Sequence, residues 1–208
     1  MAMAGVLVAA YLATGSRVGE SFAFRAGAAN AARILAGEWW RTATALTLHA
    51  DLSHLVANVT AAALLGAAVC RTVGPGLGMA LIVASGILGN ALNAILRGPP
   101  HVSVGASTAI LGAVGVLSGL AFTRQRRTPR RRARAWLALA SGLALLGMLG
   151  SDPRSDLGAH FLGFVAGIVL GAIVGRVAPA GVGPGMQRAL GAVVLAVMLA
   201  AWALALAA

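Results

Sequence analysis

A chain of 208 residues with 59% hydrophobic side chains, 28 glycines, 16 basic groups and 5 acidic ones has the composition of a polytopic membrane protein and excludes an ordinary soluble domain. Its formal charge of +11 would suit a nucleic-acid partner, but the placement of that charge, given below, argues against one. The single cysteine, Cys70, excludes an intrachain disulfide and says little about compartment.

Seven apolar stretches follow one another: Ala2 to Thr14, Thr44 to Cys70, Gly74 to Leu96, Val102 to Thr123, Ala135 to Gly150, Leu157 to Val177, and Ala189 to Ala207. A helix satisfies its own backbone in lipid, and a span takes roughly 20 residues, so seven transmembrane helices are predicted. The first is short. No Ala-x-Ala-like cleavage site followed by a soluble domain accompanies it, and it reads as a retained helix, not a signal peptide. The stretch from Gly15 to Ala43 carries Phe22, Phe24, Trp39, Trp40, Arg41 and three further arginines before Glu38. That aromatic and basic mixture predicts a loop lying in the outer interface.

All 16 basic residues are arginine, and seven of them fall between Arg124 and Arg134, in the hinge after the fourth stretch. With that hinge cytoplasmic, alternation puts Arg71, Arg176 and Arg188 on the same side. The other face takes the remaining six arginines with Glu20, Glu38, Asp51, Asp152 and Asp156, so the split is net +10 against net +1. By the positive-inside rule the N-terminus is cytoplasmic and the C-terminus outside. Orientation beside anionic lipid accounts for the basic run without nucleic acid. The arginine- and alanine-rich, lysine-free composition fits a bacterial plasma membrane protein, and nothing in the sequence requires an oligomer.

The topology brings polar residues to one depth. Stretches two, four and six all run from outside to inside and carry, near their outer starts, His54 and Asn58, then Ser107, then His160. A serine needs an imidazole to accept its proton, and His160 is placed to do so. Asp156, four residues earlier, either orients His160 or caps the sixth helix. His54 and Asn58 lie one helical turn apart, and with the Ser107 backbone N–H they are candidate donors to an oxyanion. His49, five positions before His54, falls on another side of the same helix, where it organises the outer end or a water network. His101 is a rim residue. The four histidines do not call for a metal: His-Glu-x-x-His is absent and Cys70 belongs at the inner end of stretch two. No cofactor is predicted. Gly163, Gly167, Gly171 and Gly175, with Gly115 and Gly119, give the sixth and fourth helices small faces for close approach. Taken singly, each of these residues has a packing role open to it.

Trp40-Arg41, His49-x4-His54-x3-Asn58, Gly105-x-Ser107 and Ala159-His160-x2-Gly163-x3-Gly167 occur in that order between residues 38 and 171. On these motifs the chain resembles the rhomboid intramembrane serine proteases. The resemblance implies an all-α polytopic fold, with a six-helix catalytic core over residues 1–177 and a short linker with an appended seventh helix over 178–208. It implies Ser107 as nucleophile, His160 as general base, His54 and Asn58 on the oxyanion side, and His49 and Gly105 as accessory residues. The substrates implied are transmembrane or membrane-anchored proteins, cut near the outer face of the bilayer. Two positions depart from the family pattern: Thr108 stands where a glycine is usual, and Leu111 where an aromatic residue usually meets the catalytic histidine. Their departure leaves a noncatalytic, helix-binding relative as the alternative reading; a transporter or channel finds no convincing repeat or ion pathway in the sequence.

Overall fold

The fold is that of a computed structural model, described over residues 2–16, 19, 21–124, 136, 140, 144, 156–178 and 182–208. Helix α1 (Ala2–Thr14) leads into a loop built of the short helices α2 (Phe22–Gly27), α3 (Ala31–Leu35) and α4 (Arg41–Thr44) and a 3-10 turn over Ala45–Thr47. Among the described residues, four long helices follow the pattern of membrane spans: α5 (Leu52–Val73), α6 (Pro75–Arg97), α8 (Leu157–Val177) and α9 (Pro184–Ala207). The shorter apolar helix α7 (Ser107–Arg124) stands among them. This is an all-α polytopic membrane bundle. The fifth predicted stretch, Ala135 to Gly150, lies almost wholly outside the described residues, as does the arginine-rich hinge beyond Arg124.

Two predicted helix starts are corrected. The second helix begins at Leu52, not Thr44, because Asp51 caps it: the carboxylate accepts the His54 backbone N–H at 2.8 Å. The fourth begins at Ser107, not Val102. Val102–Ser103 (β2) instead pairs antiparallel with Ala29–Asn30 (β1), so the apolar run there is spent on a small ladder against the first loop. The seventh moves the other way and begins at Pro184, not Ala189, because proline is tolerated in a helix's first turn; the other described boundaries move little. Gly74, at φ +92°, closes α5 through an N–H to Cys70 carbonyl bond of 2.8 Å, and Pro75 opens α6 where its missing N–H costs nothing.

Helix α7 is the axis of the bundle. Its residues 108–116 are all buried, the pattern of a helix apolar on every side. Leu46, Val69, Val73, Leu77, Leu81, Ile82, Ala109, Ala113, Val116 and Leu120 form the largest core cluster around it. Against α8 the contact is backbone on backbone. A Cβ on Gly163, Gly167 or Gly171 would strike the carbonyl oxygen of Thr108, Gly112 or Val116, and one on Gly115 or Gly119 would strike that of Phe164 or Ile168. The predicted small faces therefore meet, and Gly112 extends the set.

The loop after α1 is a folded block held by Arg41. Only 3% exposed, Arg41 bonds the Glu38 carboxylate at 2.6 Å and donates to the carbonyls of Arg25 and Ala28 at 2.8 and 3.1 Å. Helix α9 braces the same block and the far end of the bundle. Trp202 Nε1 donates to Thr47 Oγ1 at 3.2 Å, while Gln187 reaches the α5–α6 corner. There Gln187 Nε2 donates to the Val73 carbonyl at 2.8 Å and Oε1 accepts from Leu77 N–H at 2.9 Å. One amide thus satisfies an orphan acceptor at the end of α5 and an orphan donor at the start of α6. Gln187→Ala is expected to cost about 2 kcal/mol by stranding both groups, read as a lowered unfolding midpoint in detergent. An unchanged midpoint would show that water replaces the amide at no cost.

Candidate active site

Ser107 is the first residue of α7 and owes its position to Gly105, two residues earlier. Gly105 sits at φ +127°, a conformation that disfavours a side chain, and its N–H donates to the Ala45 carbonyl at 2.9 Å. A Cβ there would lie 2.7 Å from His54 Cε1, 2.9 Å from His54 Nε2 and 3.4 Å from Ser107 Oγ. The glycine is therefore required twice, by its torsion and by the space it leaves. The same distances put the His54 ring and the Ser107 hydroxyl on either side of the space that Gly105 leaves open.

His160 lies in the first turn of α8, its N–H bonded to the Asp156 carbonyl at 3.0 Å and its residue 6% exposed. Its Nε2 is 2.6 Å from Ser107 Oγ. Residues 53 positions apart, on neighbouring helices locked glycine to backbone, thus share one proton. Chemically this is a hydroxyl with a base already in place, at the distance general-base catalysis needs.

His54 and Asn58 come from the first two turns of α5. The Ala50 N–H points at His54 Nδ1 at 3.4 Å, an acceptor role that leaves the proton of a neutral ring on Nε2, on the side of Gly105. Asn58 is 4% exposed and spends one amide hydrogen on the His54 carbonyl at 2.8 Å, which leaves the second for another acceptor.

His49 is corrected in place. With α5 starting at Leu52, it lies in the segment before that helix, fully buried, its ring edge-on to His54 at 5.3 Å and 68°. Burial, with the charge of His54 adding to it, pushes its pKa down to about 4, and a backbone interaction with Thr47 acts the other way. The folded state then refuses a proton that the unfolded chain accepts from about pH 6.5 downward, so this contribution is intact above that pH and drains away toward pH 4. Urea midpoints between pH 7 and 4 should fall more steeply for the parent than for His49→Gln. Parallel slopes would show that His49 is not the group responsible.

Asp156 caps α8 rather than bonding to the His160 ring: Oδ1 accepts the Ala159 N–H at 3.1 Å. Its other oxygen takes His101 Nε2 at 2.7 Å and Asn93 Nδ2 at 2.8 Å. Burial would raise the carboxyl pKa, but the bonds from Ala159, Ser103 and His101 outweigh it and hold the group below the usual carboxylate range. His101, expected as a rim residue, is thereby a partner of Asp156. Asn93 was not singled out by sequence reasoning; an amide in an otherwise apolar membrane helix is the signal that points to it.

The two departures from the family pattern sit in prepared surroundings. The Thr108 methyl lies in a notch between α6 and α8, where Cβ atoms on Gly89 and Gly163 would come 2.6 and 2.9 Å from it. It fills space that two glycines vacate and does not crowd the serine. Leu111 is fully buried in a cluster with Val114 and Phe164.

Comparison with known proteins bears on the whole arrangement. The model of the rhomboid domain matches residues 36–177, more than half of the chain. The chain belongs to the rhomboid family. The rhomboid-family protein YdcA of Bacillus subtilis is 30% identical over 134 residues, 64% of this chain and 66% of that protein. Rhomboid protease GluP of the same organism is 36% identical over 100 residues, 48% of this chain and 19% of the relative. RHOMBOID-like protein 5 of Arabidopsis thaliana is 32% identical over 139 residues, 66% of this chain and 45% of the relative. The chain thus covers less than two thirds of each of these rhomboid relatives. The matched rhomboid domain contains all six residues of the candidate site, from His49 to His160.

Proposed function

We propose that the protein is an intramembrane serine endopeptidase that cleaves transmembrane or membrane-anchored proteins near the outer face of the bilayer. The observation that carries this reading is the 2.6 Å contact between His160 Nε2 and Ser107 Oγ. As Oγ attacks a peptide carbonyl, Nε2 takes the hydroxyl proton and later gives it to the departing amine, leaving an acyl-enzyme. Water entering from the outer face repeats the attack, with His160 again as base, and frees Ser107. A helix-binding role without chemistry has no use for a hydroxyl held on an imidazole nitrogen.

The negative charge on the tetrahedral oxygen needs donors. The Ser107 N–H at the start of α7, His54 Nε2–H and the second Asn58 amide hydrogen supply them in this reading, with His49 buttressing the His54 ring and Gly105 making room for it. Asn58→Ala should lower kcat more than it weakens substrate capture, by up to about 3 kcal/mol if it is a strong single donor and by less if donors are redundant. Since Asn58 also bonds the His54 carbonyl, the two substitutions should be nonadditive. Single-turnover cleavage and substrate binding for both single variants and the double variant decide this. Normal chemistry in the double variant would remove both residues from the oxyanion role.

A substrate helix must unwind locally before its carbonyl reaches Ser107, because each carbonyl is otherwise held in the i to i−4 ladder. Helix-destabilising residues near its outer end should favour cutting. In the same reading the fold is a six-helix core over residues 1–177 plus an appended seventh helix over 178–208, with the N-terminus cytoplasmic in a bacterial plasma membrane. The arginine distribution supports that orientation. An active-site-directed fluorophosphonate is the direct test: it should label the parent at Ser107 and fail to label His160→Ala. Labelling elsewhere, or labelling indifferent to His160, would refute the dyad.

A further inference from the structure

The glycine faces of α7 and α8 set how close the two helices come, and Phe164 of α8 packs with Leu111 and Val114 of α7, but these contacts begin at Gly163, beyond the turn that carries His160. A helix advances 1.5 Å and turns about 100° per residue, so a small slip at the start of α8 would break a 2.6 Å contact. The turn that carries His160 lies ahead of those contacts and has a set of its own.

We propose that Asn93, His101 and Asp156 are positioning residues that pin the first turn of α8 and so hold His160 on Ser107. Resting on the dyad reading above, the inference adds three residues that lie outside the reacting groups. Asn93 belongs to the last turns of α6, His101 to the loop between α6 and α7, and Asp156 to the cap of α8. All three converge on one carboxylate. Oδ2 accepts from Asn93 Nδ2 at 2.8 Å and His101 Nε2 at 2.7 Å, bridging 63 and 55 residues of sequence. That arrangement requires the His101 proton on Nε2, and the 3.0 Å between His101 Nε2 and Asn93 Nδ2 is then an approach of two donors sharing one acceptor.

On its other side Asp156 carries the turn itself. Oδ1 takes the Ala159 N–H at 3.1 Å and the backbone carbonyl takes the His160 N–H at 3.0 Å. The adjacent Gly158 leaves the room this needs, since a Cβ there would lie 2.6 Å from Asn93 Oδ1. Asn93 is 2% exposed, so its amide has little water to turn to if the carboxylate moves.

The test compares Asn93→Ala, His101→Ala, His101→Gln and Asp156→Asn in the full chain in detergent. The readouts are the rate of Ser107 labelling by a fluorophosphonate, kcat and KM on a membrane-anchored substrate, and the thermal midpoint. Asn93→Ala and His101→Ala should label and turn over roughly ten- to a hundredfold more slowly with KM unchanged, the scale of a misplacement of about 1 Å. His101→Gln, whose amide can still donate to Oδ2, should recover most of the rate. Asp156→Asn keeps the cap, so its rate loss should exceed any loss in midpoint. Parent-like labelling and kcat in both alanine variants would overturn the proposal. So would a loss that appears in KM, or one that glutamine fails to rescue. Should Asn93→Ala not fold, the two His101 variants decide the matter alone. A parent that is itself unlabelled would sink the dyad reading first, and this inference with it.

Discussion

Ser107→Ala is expected to reduce cleavage of a transmembrane substrate by at least about 10³-fold while leaving the fold intact. Only the hydroxyl is removed, at the half-buried start of α7, and the buried core from Ala109 onward does not depend on it. His160→Ala should match that loss, because without Nε2 the serine proton has no acceptor at 2.6 Å. Turnover by purified protein in detergent or lipid, with the thermal midpoint of each variant measured alongside, checks both. Undiminished cleavage by either well-folded variant would refute the assignment of the pair.

Gly167→Leu is the second large effect, and it acts on the contact that makes the site possible. A Cβ at Gly167 would collide with the Gly112 carbonyl oxygen and come 3.0 Å from the Gly112 Cα, backbone that cannot swing aside. The rest of a leucine side chain needs still more room, so α8 must move away from α7. We expect a stability loss of about 3 kcal/mol or more and, from separation of the dyad, loss of Ser107 labelling. A variant with the parent's midpoint and the parent's labelling rate would show that close packing of these helices is not what brings Ser107 to His160.

How much of this was legible beforehand differs from element to element, for physical reasons. The span Leu157–Val177 was read to the residue because Asp156 supplies a cap immediately before an uninterrupted apolar run. The helix beginning at Leu52 was not. Hydropathy cannot distinguish Leu46 and Leu48, apolar because they are buried in protein, from residues apolar because they face lipid, so the run from Thr44 looked helical throughout. Val102 misled in the same way, by pairing with Asn30 where the sequence suggested a continuing helix.

Within the site, Ser107 and His160 were legible because alternating spans place their outer starts at one depth. His54 and Asn58 were legible because four residues is one turn. The Asn93–His101–Asp156 cluster was only half visible. His101 and Asp156 stood out as ionisable groups near helix ends, but a carboxylate that serves partners 55 and 63 residues away leaves no local periodicity to read. Gln187 escaped for the same reason, its two bonds joining residues more than a hundred positions apart.

The central claim, that this chain cuts membrane-anchored helices with Ser107, is tested most directly by mass-resolved cleavage of a library of such helices with the parent and Ser107→Ala side by side. The account predicts discrete products from the parent, cut near the outer ends of helices that carry destabilising residues, and none from the variant. The same products from both proteins, or none from a parent whose Ser107 reacts with a fluorophosphonate, would contradict it.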